Sequence, residues 1–382
     1  MFKICFITTI PLTIKTFVLG FANFLYNTGD FEIHFICDYD ADFEKNLPEY
    51  IHYHPISMKR GISLDGVKAT WKMMKYFREE KFDLVQYSTP NAACYASIAA
   101  RLAGIRNRVY CQWGIKYVAF TELKKKIFKF IEKTVCINST VIEPDSFGNL
   151  RFGREEGLYN DNKSRVVWNG SASGVNLTKF DISYKDAWRR EIRSKYSIPL
   201  NATVFTFIGR ITKDKGINEL FSAAKTLLSD KDDAYLMLIG NIEKSETIDS
   251  ALYDWSQTES RVIYCGYTRE VEKYLAASDV YVLPSYREGF GSAVIEAEAM
   301  GVPVIVSNIP GPTDAMKQNE TGLLVEKGDA IDLQNAMTKL YNCKAQRLQM
   351  GEKALEFAKN NFDQKVLFEK ILEDRMGIIT NK

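Results

Sequence analysis

Short apolar, β-branched runs alternate with longer amphipathic runs along most of this chain. The pattern reads as a strand over 3–9, a helix from about 13 to 26, a strand over 31–37, a helix over 64–79, a strand over 84–88, a helix over 92–102 and a strand over 108–113. Such alternation implies parallel strands joined by crossover helices that cover both sheet faces. After Val166-Val167-Trp168-Asn169-Gly170 comes an irregular Gly/Ser/Asn stretch, 171–178, which reads as an interdomain hinge. The alternation then restarts with a strand over 204–208, a helix over 217–228 and a strand over 235–239. At 382 residues the chain also exceeds one comfortable hydrophobic core. The expected fold is α/β, with two doubly wound, Rossmann-like domains facing across a cleft. Their expected extents are 1–178 and 179–363, with a terminal helix at about 364–382.

Within the second half, one segment carries chemistry. Val280 to Pro284 is apolar and β-branched, Gly289 and Gly291 bracket a tight turn, and Ser292 to Met300 has helix-forming composition stopped by Gly301 and Pro303. This is strand, glycine loop, helix. Glu288 lies in the loop and Glu296, eight positions on, lies just over a turn into the helix. The helix start presents free N–H groups and a partial positive charge, which suit a phosphate or diphosphate. Carboxylates accept hydrogen bonds from sugar hydroxyls. The expected ligand is a sugar joined to a diphosphate. Upstream, Gly209-Arg210 and Lys215-Gly216 follow the first strand of the second half, at the carboxyl edge where open α/β sheets bind ligands. Arginine grips a diphosphate bidentately and lysine acts as a point charge. Taken alone, Lys213, Asp214 and Lys215 would be ordinary surface residues in a turn; the Glu288 cluster reverses that weighting.

The spacing Glu-x7-Glu inside Pro-Ser-x-x-Glu-Gly-Phe-Gly, followed by Gly-Val-Pro-Val-Ile, closely resembles the retaining group-1 (family 4) glycosyltransferases of the GT-B fold, bacterial surface-polysaccharide type. The run from Phe207 to Gly216 is similar to that family's Gly-Arg-x4-Lys-Gly motif. The resemblance implies transfer of a sugar from a nucleotide-diphosphate donor, expected to be UDP-linked, to a glycan or polyprenyl-linked acceptor. It implies that Glu296 meets the ribose hydroxyls and that Glu288 meets the transferred sugar at its reacting face. It also implies that Gly289, Phe290 and Gly291 offer backbone N–H groups, and that the terminal helix crosses back to the first domain. Glycosidase carboxyls flank one bond from opposite sides, whereas this pair belongs to one wall, so the implied mechanism is a front-face retaining transfer. The sequence departs from the family pattern at Thr8-Thr9-Ile10-Pro11-Leu12, which replaces a frequent glycine pair, and near Gln112-Trp113-Gly114, where a frequent histidine has no counterpart. Gln112, Trp113 and Tyr117 are the candidates for the acceptor side, although strand-end aromatics more often belong to a core.

Composition narrows the setting. Seven cysteines, scattered and mostly within apolar runs, read as reduced core thiols in a cytoplasmic compartment. Only three histidines occur, His34, His52 and His54, and no Cys-x-x-Cys, so neither a zinc site nor any other metal is expected. Asp38-Tyr39-Asp40 imitates a metal-binding Asp-x-Asp but reads as a turn. The apolar stretch 10–24 contains Pro11 and Lys15 and reads as a helix, not a leader; no other run is long enough to span a bilayer. Between Arg101 and Val135, nine basic residues face two acidic ones, although the whole chain carries only +2. The centre of this excess is a helix with Lys124, Lys125, Lys126, Lys129 and Lys133, which suits an anionic membrane surface and hence a peripheral place on the inner face of the plasma membrane. The plainer alternative is a packed helix with its lysines in water. Nucleic acid is not an expected partner, because no stacking platform accompanies the charge. Two rival functions stay open: a GT-B-fold sugar-nucleotide epimerase and a non-catalytic sugar-nucleotide-binding subunit.

Overall fold

The computed structural model describes residues 1–58, 64–120, 122–243 and 245–380. The chain folds as two compact units, Met1–Ser173 with the C-terminal segment from Lys365, and Gly174–Gln364. Residues 381 and 382 of the expected terminal helix lie outside the described residues.

In the first unit, six parallel strands, β1 (Phe2–Ile7), β2 (Phe31–Ile36), β3 (Ile51–Tyr53), β4 (Leu84–Tyr87), β5 (Asn107–Gln112) and β6 (Val141–Pro144), stand in the order β3-β2-β1-β4-β5-β6. The second unit holds β7 (Thr203–Ile208), β8 (Ala234–Ile239), β9 (Val262–Gly266), β10 (Val280–Leu283), β11 (Val304–Ser307) and β12 (Gly322–Val325), in the order β12-β11-β10-β7-β8-β9. Each unit is a Rossmann-like doubly wound domain. The central strands β4 and β10 are buried at every position. Helices cover both faces of such strands, so β10 reads as an unbroken apolar run, while β4 carries one buried polar residue, Gln86.

The helix expected from 13 to 26 begins earlier and is not uniform. Pro11 stands in its first turn, Pro11–Thr13, where a missing N–H costs nothing. A π-helical stretch, Ile14–Val18, follows with Ile14 and Val18 buried, and the α-helix Leu19–Asn27 completes it. The last helix, Gln364–Thr380, puts Leu367, Phe368 and Ile371 into the first unit's core, with Phe368 5.5 Å from the ring of Phe21. Its Arg375 is fully buried and paired with Glu143 and Asp374, both at 2.6 Å, while Gln86 accepts a further hydrogen bond at 3.0 Å. A buried guanidinium needs such partners, and removing one would leave charge unpaired in the core.

Candidate functional site

Strand order in the second sheet reverses between β7 and β10, and open α/β sheets bind ligands at the carboxyl end of such a switch point. The loops leaving these two strands carry Arg210 to Gly216 and Ser285 to Gly291. They touch through backbone. Gly216 sits at φ +73, and a Cβ there would lie 1.9 Å from the carbonyl oxygen of Pro284. Only glycine permits both the conformation and the approach. The result is that Lys215 Nζ reaches Glu288 Oε1 at 2.6 Å, with the Ser285 hydroxyl donating to the same oxygen at 2.8 Å. The two side chains are only 18% and 13% exposed, so the pair is a preformed, weakly screened polar centre.

Asp214 organises the cations beside it. Its carboxylate lies 3.2 Å from Arg287 and 3.7 Å from Arg210, and accepts from the Thr212 hydroxyl at 2.5 Å. Burial pushes this carboxyl up, but the Thr212 hydrogen bond and the charges of Arg210, Arg287 and Lys215 outweigh burial and hold it below the usual range. Arg210 is half exposed and also meets Glu243 at 3.2 Å. Sequence reasoning misses Asp214 and Arg287 as site residues, because acid and base in a turn look alike whether solvated or engaged; the signal that could have found them is Arg287's position directly before Glu288. Gly209 spends its N–H on Ile239 O at 2.9 Å, so it supplies room and not a donor.

The helix Ser292–Ala299 begins at Gly291, which is left-handed and makes no side-chain cap bond. The Val294 N–H is spent on Gly291 O at 2.8 Å, so the open end of the helix is its first two positions, Ser292 and Ala293. Phe290 buries its ring against Phe362 at 5.3 Å and so pins the loop backbone. Gly289 is packed from behind by Gly311, at φ +102, where a Cβ would fall 2.0 Å from Gly289 O. Glu296 faces a different environment from Glu288. Burial pushes its carboxyl up to about 7, with Lys179 opposing and Glu272 adding to the rise. Lys179 itself lies 3.4 Å from Glu272, and sequence reasoning misses it because it stands just past the irregular hinge stretch.

In the first unit the three acceptor-side candidates are engaged with neighbouring side chains. Gln112 is fully buried, donating to Glu132 at 2.5 Å and accepting from the Tyr159 hydroxyl at 2.9 Å. Tyr117 is fully buried with its hydroxyl on Glu156 at 3.0 Å. Gln112 serves the buried carboxylate of Glu132, which needs donors in the interior, whereas Tyr117 serves Glu156, whose side chain is 30% exposed. Trp113 is partly buried against Phe17, ring centroids 5.2 Å apart. At this unit's own switch point, between β1 and β4, stand Thr9 and Thr89 with hydroxyls 2.8 Å apart. Thr89 holds φ +65, a strained conformation for a β-branched residue.

Asp40 caps the helix Ala41–Lys45 by accepting from Phe43 N at 2.7 Å, and Asp38 accepts from Met58 N at 2.6 Å. In the helix Glu122–Asn138, Lys124, Lys125 and Lys126 are exposed, but Lys129 is tied to Glu156 at 2.7 Å and does not face outward as a free charge. The apolar residues Leu123, Ile127 and Phe130 are exposed by 73%, 41% and 73%. Among the described residues no helix is long and apolar enough to cross a membrane.

Two family models match the chain: Glycosyl transferases group 1 over residues 189–357, and Glycosyl transferase 4-like over residues 3–145. The capsular polysaccharide biosynthesis glycosyltransferase CapM of Staphylococcus aureus is 30% identical over 331 residues, covering 86% of each chain. This chain belongs to the group 1 glycosyltransferases. A relative that acts as a UDP-Gal:alpha-D-GlcNAc-diphosphoundecaprenol alpha-1,3-galactosyltransferase in Escherichia coli is 25% identical over 100% of this chain and 98% of its own. Among solved structures, Anabaena HepE in complex with UDP and glucose superposes with a TM-score of 0.81 at 18% identity, over 99% of this chain and 100% of that one. At such identity the likeness concerns the fold, and that fold is GT-B. As a group 1 glycosyltransferase, the protein carries the Lys215–Glu288 pair at the carboxyl edge of the second unit's sheet, beside its switch point.

Proposed function

We propose that this glycosyltransferase moves a sugar from a UDP-linked donor, with retention at the anomeric carbon, to a polyprenyl-diphosphate-linked glycan in bacterial surface-polysaccharide synthesis. The observation that carries the reading is the Lys215–Glu288–Ser285 cluster beside an uncapped helix start. Lys215, Arg210 and the free N–H groups after Gly291 stabilise the diphosphate as the C1–O bond breaks and negative charge gathers on it. Glu288, tied to Lys215 and Ser285, is placed to hold a sugar hydroxyl and not to attack C1, so the acceptor oxygen bonds to the face the diphosphate leaves. The acceptor's proton passes to a departing phosphate oxygen. Glu296 takes the ribose hydroxyls. The names of the CapM and diphosphoundecaprenol relatives support the acceptor class and the pathway, and HepE's complex with UDP and glucose supports the donor. On the first unit, the strained Thr89 with Thr9 is the acceptor-side assignment that replaces Gln112 and Tyr117.

The test is a mass-spectrometric screen of nucleotide sugars with polyprenyl-diphosphate glycans, followed by NMR of the product's anomeric proton. An inverted linkage, or turnover of the donor with no acceptor required, would sink the reading; the latter would favour the epimerase.

A lipid acceptor calls for a membrane-facing surface, and Leu123, Ile127 and Phe130 flanked by Lys124, Lys125, Lys126 and Lys133 supply one on the cytoplasmic side of the plasma membrane. Each lysine near an anionic surface contributes on the order of 1 kcal/mol, screened by salt. Leu123→Ser/Phe130→Ser together with Lys124, Lys125 and Lys126 changed to Gln should abolish co-sedimentation with phosphatidylglycerol vesicles at low salt while leaving donor binding intact. Equal sedimentation of variant and wild type would remove the membrane from the proposal.

A further inference from the structure

The second unit contains a cavity of about 360 Å³ on the side of its sheet opposite the Lys215–Glu288 pair. Ser278 and Asp279 on its wall immediately precede β10, and Pro303 immediately precedes β11, so the cavity lies at the amino edge of a parallel sheet whose carboxyl edge carries the donor loops. The volume falls within the range of small-molecule sites.

Its walls hold more positive charge than they neutralise. Lys185 and Arg189 come from one helix, Lys185–Lys195, while Lys344 and Arg347 come from another, Lys344–Phe362. Arg189 meets Asp279 at 2.9 Å, but that carboxylate is shared with the fully buried Arg193 at 2.7 Å. Among the described residues, no carboxylate lies within ion-pair distance of Lys185, Lys344 or Arg347. Lys185 Nζ donates to Gly301 O at 3.0 Å, and Arg347 donates to two carbonyl oxygens, of Leu340 and Tyr341, and to the Thr203 hydroxyl. The remaining acids of the lining, Asp186 and Glu352, are exposed at the rim. Burial, with Arg189 adding to it, pushes the Lys185 ammonium down to about 8, against the pull of Asp279 and Asp186. A charge in that condition gains from an arriving anion. Between the cations, Ile182, Leu348 and Leu355 give the same cavity an apolar side.

We propose that this cavity is a second ligand site of the protein, taking a small phosphorylated molecule whose phosphate lies among Lys185, Lys344 and Arg347 and whose apolar part lies on Ile182, Leu348 and Leu355. The floor of the site is the end of the donor helix. Gly301, whose carbonyl oxygen accepts from Lys185, stands just past Met300, the C-cap of Ser292–Ala299, and Gly351 packs against it so closely that a Cβ there would lie 2.5 Å from that oxygen.

Phenyl phosphate combines the two features and serves as the probe, with inorganic phosphate and phenol as its separate halves. Isothermal titration of the full chain should show phenyl phosphate binding at least tenfold more tightly than either half. Lys185→Gln/Lys344→Gln should weaken it at least tenfold. Leu348→Asp, an exposed change that adds a negative charge beside Arg347 and is not expected to disturb folding, should weaken it comparably and covers the case in which the double variant fails to fold. Lys215→Ala should leave it unchanged, which separates this cavity from the donor site. Crystals soaked in tungstate should show an anomalous peak beside Arg347. Absence of binding in the wild type, equal binding in the Leu348→Asp variant, or loss of binding in Lys215→Ala would each overturn the proposal.

Discussion

Counted from its own first strand, each sheet runs 3-2-1-4-5-6, so each unit has a switch point between its first and fourth strands. The second unit fills that point with charge: Arg210, Asp214, Lys215, Arg287 and Glu288, brought together by the backbone approach of Gly216 to Pro284. The first unit fills it with neutral hydroxyls. Thr9 N donates to Thr89 Oγ1 at 3.0 Å and the two hydroxyls meet at 2.8 Å, without a lysine or arginine in the pair. Topology thus supplies two crevices, and local chemistry decides which of them can hold a diphosphate. A leaving dianion needs fixed cations. An incoming alcohol needs only orientation and a place for its proton to go.

The contrast would break first at the charged point. Lys215→Ala and Glu288→Ala should each lower kcat by roughly a hundredfold or more, because both act on charge or geometry that develops in the transition state. Circular dichroism should stay unchanged. Near-normal turnover in either variant would leave the second switch point without its assigned role.

A pH profile sharpens the distinction between the two glutamates. With its carboxyl near 7, Glu296 passes from mostly neutral at pH 6 to mostly ionised at pH 8, a roughly tenfold change in the form that accepts ribose hydroxyls. Donor KM should fall by about that factor over this interval, and Glu296→Gln should flatten the dependence. Stability should move the other way. A carboxyl raised in the folded state stabilises the fold at low pH, and that contribution is lost as pH rises from the ordinary carboxylate range through about 7. A wild-type melting point that climbs over this window, with no change in the glutamine variant, would count against the assignment.

At the neutral point a smaller effect is expected. Thr89→Ala removes a neutral hydrogen-bonding group, worth about 0.5–1.5 kcal/mol, so transfer should slow by roughly three- to tenfold while donor binding and slow donor hydrolysis persist. A loss as deep as that of Lys215→Ala would mean that the two switch points do not divide the work between leaving group and acceptor. The least effect belongs to chelation. Fixed cations at the second switch point take the place a divalent ion would hold, so activity in EDTA should equal activity without it. Loss on chelation with recovery in Mg²⁺ would return Asp38 and Asp40 to consideration.

Much of this was legible in one dimension. Periodicity gave the order of strands and helices, since a strand buried on both faces cannot avoid an unbroken apolar run, as β10 shows. The Glu-x7-Glu segment gave the strand, glycine loop and helix start on which the proposed donor site rests, because glycines that bound a turn between an apolar run and a helix-forming run mark the change of element. Pairing across sequence was not legible. Asp214 reads as a solvated turn residue and becomes the partner of Arg287, 73 positions on, when two loops are brought together. Gln112 and Tyr117 read as available and are engaged by Glu132, whose burial demands donors, and by the partly exposed Glu156. The sequence of the helix with Lys124 to Lys133 leaves a membrane-facing and a packed arrangement both open, and Leu123, Ile127 and Phe130 lie exposed. Composition and period state what a residue could do. Which partner satisfies a buried charge, and which face of a helix meets the core, depends on distances that only the folded chain creates.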